Sequence, residues 1–484
     1  MKLLAVLSIL VGNALACPTA AAQTAVEDDA AMREQFRAAY AAADTGVVAD
    51  DDTTLRAYVL YPYLRAARIE QALGLAEGAW HDSDVAAAEF LKETGTTPVA
   101  QGLRRTWLAS LARRESWAAF IDHYDPSAAT LALECQQFNA RIAREETAGL
   151  AAAVRARWLT GNRLPSECEP AFQWLRAQRE LPDVLVAQRA DLLLDNGNAS
   201  FARTIADQLP TDAAAPLLER ADFIENPARM LDALIAEPSR LVPAEVVLEA
   251  WSRLARNAPE EALPRFTPLS ERMPTLEDAD KLARALALGL AWDRRPEALD
   301  YFARVPRAAL EDGDLEWWTR AALWAGEWGL VRTTIAAMSP AQQSDWAWRY
   351  WAARTAEQLH EKDAARKLYS AMLGGDNYYS ALAAAQIGER VTPKLTPLPL
   401  DAEDVETFAA VDTFRRAREL ALLGLRELAT NEWNYGYALL PEDQRLQAIH
   451  LAARWELYDI AVATATSHGQ FNDYTLLYPR PYAD

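Results

Sequence analysis

Thiol chemistry is the easiest to read from spacing. Of three cysteines, Cys135 and Cys168 have 32 residues between them, and Cys17 lies in the first twenty positions. If the leader carrying Cys17 is removed, two thiols remain in an exported chain. The simplest count is one disulfide, Cys135–Cys168, with two free buried thiols as the other reading. Closing such a loop stabilises a fold by about 3–4 kcal/mol on chain-entropy grounds. Carboxylates come next. Glycosidic cleavage usually takes two at a set separation, and 69 acidic residues bring many pairs close by chance. Asp50-Asp51-Asp52 reads as solvated loop or helix cap. The five histidines, His81, His123, His360, His450 and His468, show no i, i+4 pair, and His81-Asp82-Ser83-Asp84 reads as a surface turn rather than a metal site. No glycine-rich phosphate loop or Gly-x-Ser-x-Gly elbow occurs. No metal, cofactor or catalytic set is therefore expected. Asn198-Ala199-Ser200 fits a glycosylation sequon but reads as a hairpin turn. Trp317, Trp318, Trp324, Trp328, Trp346, Trp348 and Trp351 could stack on sugars. Their helical spacing makes core packing the default, with a minority facing outward to glycan or peptide.

Helices must position these residues. No stretch alternates with period two, and helical period recurs throughout. Trp348, Trp351, Ala352, Thr355 and Leu359 share one predicted face, and Ala365, Leu368, Tyr369 and Met372 share the next, across the short polar link His360 to Asp363. That is an antiparallel helical hairpin. Similar pairs are predicted at 184–194 with 199–208, 280–290 with 296–305, and 315–325 with 330–338. Ala298, Val331 and Ala364 fall 33 residues apart. The fold class is all-α: an α-solenoid superhelix of helical hairpins, then a small helical linker domain. Pro393, Pro397 and Pro399 mark the break between them. Cys135 to Trp174 reads as a helical hairpin, 151–157 and 169–176, pinned by its own disulfide. The tail from Leu476 to Tyr482 reads as extended.

A net charge of −20 argues against nucleic acid and against anionic lipid. Met1-Lys2, the uncharged run Leu3 to Ala16 and Ala20-Ala21-Ala22 read as a secretory signal peptide. Cleavage after Ala22 is the first choice and after Ala16 the alternative. A lipoprotein box at Ala14-Leu15-Ala16-Cys17 is the weaker fit. The run is too short to span a membrane.

Six segments in order resemble the large periplasmic soluble lytic murein transglycosylases. They are Leu60-Tyr61-Pro62-Tyr63-Leu64; Trp107 to Arg114 with Trp117; Cys135 to Trp174; Trp348 to Trp351 with Tyr378-Tyr379-Ser380 and Ala384 to Gly388; Arg416 to Leu420 with Glu432-Trp433; and Tyr478 to Tyr482. The resemblance implies a signal peptide over 1–22, a superhelical U domain over 23–390, a proline-rich linker over 391–400 and a helical L domain over 401–477. Residues 478–484 would be a stub leading to a lysozyme-like domain. In the family that domain cleaves the β-1,4 bond between N-acetylmuramic acid and N-acetylglucosamine, giving a 1,6-anhydro product. Its Glu-Ser-x-Phe and Gly-Leu-Met-Gln stretches do not occur after Tyr482. The lookalike Arg114-Glu115-Ser116-Trp117 sits in the early solenoid, where Glu115 reads as a solvated helix end. The implied function is the non-catalytic scaffold of a periplasmic enzyme, inactive alone, with peptidoglycan and other cell-wall proteins as partners. A free-standing solenoid adaptor for periplasmic proteins is the alternative.

Overall fold

The computed structural model describes residues 19–46, 50–390 and 395–480, with side chains from residue 30 onward. Met1 to Pro18, with Cys17 and most of the expected signal peptide, lie outside the described residues, as do the last four positions. Among the described residues every regular element is a helix.

Contacts divide the chain into two compact units. One joins Met1–Glu146 and Ser166–Cys168 to Leu395–Asp484; the other holds Thr147–Pro165 and Glu169–Lys394. This grouping follows space, whereas boundaries at 390 and 401 follow chain order.

In the first unit, α1 (Tyr61–Leu75) packs on α2 (Pro98–Arg113), and α3 (Leu131–Ala143) follows. Pro62 and Pro98 enter the first turns of α1 and α2, where a missing N–H costs nothing. Cys135 on α3 is bonded to Cys168, and both are fully buried. The bond therefore ties α3 to the entry of a later helix. It does not lie within the predicted hairpin, because Cys135 precedes the 151–157 stretch by a whole helix.

The second unit is a stack of hairpins, each burying one stripe against its neighbours. The first pair is α4 (Leu150–Trp158) with α5 (Glu169–Ala177), then α6 (Asp183–Asp195) with α7 (Ala199–Ala206). Further along, α8 (Ala244–Asn257) lies against α9 (Leu276–Trp292), and α9 pairs with α10 (Ala298–Phe302). Next come α11 (Asp312–Ala325) with α12 (Trp328–Ala337), and α13 (Trp346–Gln358) with α14 (Lys362–Ser370). Trp251, Leu282, Leu286, Phe302, Leu315 and Val331 are all fully buried in one core. Each such side chain contributes about 1.5–3 kcal/mol by leaving water.

Two predicted faces are rotated. On α13 the fully buried positions include Tyr350, Ala353 and Ala356 beside Trp348 and Thr355. On α14 Ala365 and Tyr369 are buried, as is Met372 just beyond it, but Leu368 is exposed. The 33-residue register holds for buried Ala298 and Val331 and then slips by one, since Ala365 is buried and Ala364 is exposed. Several helices end on a left-handed residue that is not glycine, among them Glu115, Arg294, His360 and Glu456. Each directs the next backbone N–H back to a carbonyl five residues earlier.

The chain then re-enters the first unit. Leu395–Leu400 has no helix. Its backbone N–H groups donate to Asn472 O from Thr396 and to Asp473 Oδ2 from Leu398, each at 2.9 Å. The helices α15 (Asp412–Leu422) and α16 (Arg426–Leu439) follow. Leu420 and Ala429 are buried in the same core as Leu64, Leu103 and Leu108. Leu476 and Leu477 close a single helical turn, Tyr474–Leu477, rather than starting an extended tail.

Candidate functional site

The buried carboxylates come first, because an acid catalyst would have to be found among such groups. Asp84, Asp314 and Glu432 are each held by an arginine, whereas Asp473 accepts from the Leu398, Thr475 and Leu476 amides and the Thr475 hydroxyl. Asp84 accepts from both Arg114 amines, at 2.6 and 3.1 Å, from the Trp107 indole at 2.8 Å and from the His81 amide at 2.6 Å. Burial alone would push its carboxyl up, but these donors hold it below the ordinary range. Glu432 accepts from Tyr63 at 2.9 Å and from Thr413 at 2.7 Å, with the Arg416 guanidinium in ionic contact at 3.1 Å. Burial, then the Glu432 charge, pushes the Tyr63 phenol well up. Asp314 lies 2.8 Å from Arg284. A general acid at neutral pH needs a raised pKa, and Asp84 is set the other way.

The residues singled out from sequence scatter. Glu115 is exposed at the end of α2 with φ 56°. Asp52 caps a short helix through Leu55 N at 2.7 Å, as expected. Asp51 is not solvated: Arg68 grips it at 2.6 and 2.9 Å, and Tyr61 donates at 3.0 Å. His81 caps the helix Asp82–Thr94, so that turn is structural, but its Asp84 is buried rather than at the surface. Asn198 donates to Gly161 O at 2.8 Å. Among the described residues no group of three His, Cys, Asp or Glu could hold a metal.

Two features gave no sequence signal. Arg189 is buried, with its guanidinium 3.8 Å from the Trp158 ring centroid and with Nε and Nη1 lacking hydrogen-bond partners. Burial, then Arg176, brings its pKa down to about 10. His123 packs 4.3 Å from the Trp107 ring and 6.5 Å from Trp80, and burial lowers its pKa. A lowered histidine pKa means the unfolded chain takes the proton first. Stability is therefore complete above the ordinary histidine pKa, about 6.5, and falls as pH drops from there through the folded value. Thermal unfolding of His123→Gln measured between pH 7 and 5 should show a flatter loss than the parent protein.

The second unit also presents tryptophans outward. Trp324 is 47% exposed and Trp292 is 38% exposed. Trp317 lies 6.1 Å from Trp292 and 6.4 Å from Trp324. Arg256 covers Trp292 at 5.1 Å, Arg320 covers Trp317 at 4.8 Å and Arg294 covers Trp324 at 5.2 Å. Trp348 is buried, which fits core packing. Between α8 and α9 runs an open groove of about 410 Å³, lined by Leu248, Arg256, Lys281, Arg284, Leu288 and Trp292 among others.

Residues 407–474 match the profile of the soluble lytic murein transglycosylase L domain. The chain is 22% identical over 439 residues to the soluble lytic murein transglycosylase of Salmonella typhimurium, covering 89% of this chain and 66% of that protein. The Escherichia coli K12 protein of the same name is 22% identical over 435 residues. Along most of its length the chain is thus similar to soluble lytic murein transglycosylases. It spans just under two thirds of the length of these relatives. A crystal structure of a lytic transglycosylase inactive mutant from Pseudomonas aeruginosa superposes with a TM-score of 0.69 at 25% identity, over 92% of this chain and 72% of that one. The 70-kDa soluble lytic transglycosylase of Escherichia coli superposes with a TM-score of 0.77 at 21% identity, over 94% and 73%. Several residues that carry the resemblance, Tyr63, Trp107, Trp158, Glu432 and Trp433, are buried, and Arg416 is part-buried. No described helix is long and apolar enough to cross a membrane.

Proposed function

We propose that residues 23–484 hold a periplasmic lytic transglycosylase on murein and catalyse no turnover themselves. On this reading residues 1–22 direct export, 23–390 and 401–477 are the U and L domains joined by 391–400, and 478–484 lead toward a catalytic domain. The observation that carries it is the L-domain match at 407–474 together with similarity along 89% of the chain. The neutralised buried carboxylates Asp84, Asp314 and Glu432 support the same reading, since each is committed to a structural ion pair.

The test uses the purified chain and purified sacculi. The chain should pellet with sacculi and release no 1,6-anhydro-muropeptides, read by mass spectrometry. Release of such products would overturn the non-catalytic part. A chain that stays in the supernatant would overturn murein binding, and recovery of a periplasmic protein partner instead would favour an adaptor.

A further inference from the structure

We propose that the groove between α8 and α9 is a binding site for a carboxylate-bearing saccharide strand, a placement that rests on the murein reading above. The two helices run side by side in the same direction. The Trp251 indole donates to Leu282 O at 2.8 Å near one end. Gly289 meets Ala255 near the other, so closely that a Cβ on Gly289 would lie 1.8 Å from Ala255 O. The groove is therefore ordered along its length. Lys281 and Leu248 stand at one end, Arg284 and Leu288 in the middle, Arg256 and Trp292 at the other. From Lys281 to Trp292 the helix rises about 16 Å.

Charge selects the occupant. The whole chain carries −20, which opposes any acidic ligand. This groove is a local exception, with three cations and one acid, Glu249. The acid is already engaged by Arg220 at 2.9 Å and Arg253 at 3.2 Å. Arg284 is committed to Asp314 and Glu311. Lys281, itself exposed, pairs only with the exposed Glu277 and the part-buried Asp278 on its own helix. Exposed pairs of that kind are weak and exchange readily for a better-placed anion. Arg256 stacks on Trp292 rather than pairing with an acid. An aromatic plane beside a guanidinium suits a sugar ring whose neighbour carries a carboxylate. The murein strand meets that description, being a saccharide whose attached peptides carry carboxylates. The groove would thus admit an acidic polymer to an acidic protein.

Titration calorimetry on the whole chain tests this, with muropeptides from digested murein and a neutral N-acetylglucosamine hexamer as probes. The chain should bind muropeptides at least about tenfold more tightly than the hexamer. Arg256→Glu and Trp292→Ala should each weaken muropeptide binding by about tenfold. Arg256→Lys should retain most of it, and affinity should fall as salt rises. Both side chains point to solvent, and the salt dependence reads the same charge with no substitution at all. If the parent chain binds sacculi but both variants bind muropeptides unchanged, the groove is wrong and the murein reading stands. Equal affinity for the neutral hexamer would overturn recognition of the carboxylate. If the parent chain binds neither sacculi nor muropeptides, both readings fall.

Discussion

Gly289→Ala should destabilise the second unit by about 3 kcal/mol, the upper range for overpacking a closed core. The argument is steric. Gly289 lies mid-helix in α9, where glycine is normally unfavourable and alanine would be gained on propensity alone. Here the new Cβ would meet the Ala255 carbonyl oxygen at 1.8 Å, and that oxygen belongs to the α8 backbone. A backbone atom cannot swing aside as a side-chain tip can. The helices must separate, and Trp251, Leu282 and Leu286, all fully buried, would lose contact. Gly313→Ala is the control. Nothing lies within 4 Å of its Cβ, so that substitution should leave stability unchanged or raise it by a few tenths of a kcal/mol. Calorimetric unfolding should show a loss of stability for Gly289→Ala and none for Gly313→Ala. Equal effects would mean that α8 and α9 are not in such close apposition.

Glu432→Ala should cost the first unit about 3–5 kcal/mol, the range for removing one partner of a buried ion pair. The Tyr63 hydroxyl and the Arg416 guanidinium lose their acceptor together, and the Thr413 hydroxyl keeps only the residue-432 carbonyl at 3.1 Å. The Arg416 side chain is only 12% exposed, so water does not replace the lost charge fully. Glu432→Gln keeps an acceptor for Tyr63 and should fall between the parent and the alanine variant. Hydrogen exchange on α1, α15 and α16 would locate the loss. Unchanged protection there would refute the view that this carboxylate holds the unit together.

The hairpins were legible because helical period is a local property. The polar links and the buried stripes of α9 to α14 can be read within about thirty residues. Even so, period does not fix rotation, and it places Leu368 on a buried face although the structure exposes that side chain. The disulfide followed from counting thiols, but its position between α3 and the entry to α5 did not. The cysteines fix a pair of atoms and say nothing of which helix carries the first. The Tyr63–Glu432 bond was illegible, because its partners are 369 residues apart and no spacing rule reaches that far. The groove was illegible for a similar reason. Trp292 stands outside the obvious tryptophan clusters, and only the close approach at Gly289 brings it beside Arg256.

The composition of the first unit sets an order of assembly. Its two main parts, Met1–Glu146 and Leu395–Asp484, are separated by roughly 250 residues of other structure. A chain growing from its N-terminus completes the second unit's helices before Glu419 or Glu432 exists. Until then Arg33 and Tyr63, their eventual partners, await carboxylates not yet synthesised. The earliest helices are thus among the last to be finished, and their half-built apolar face is what a chaperone would have to cover.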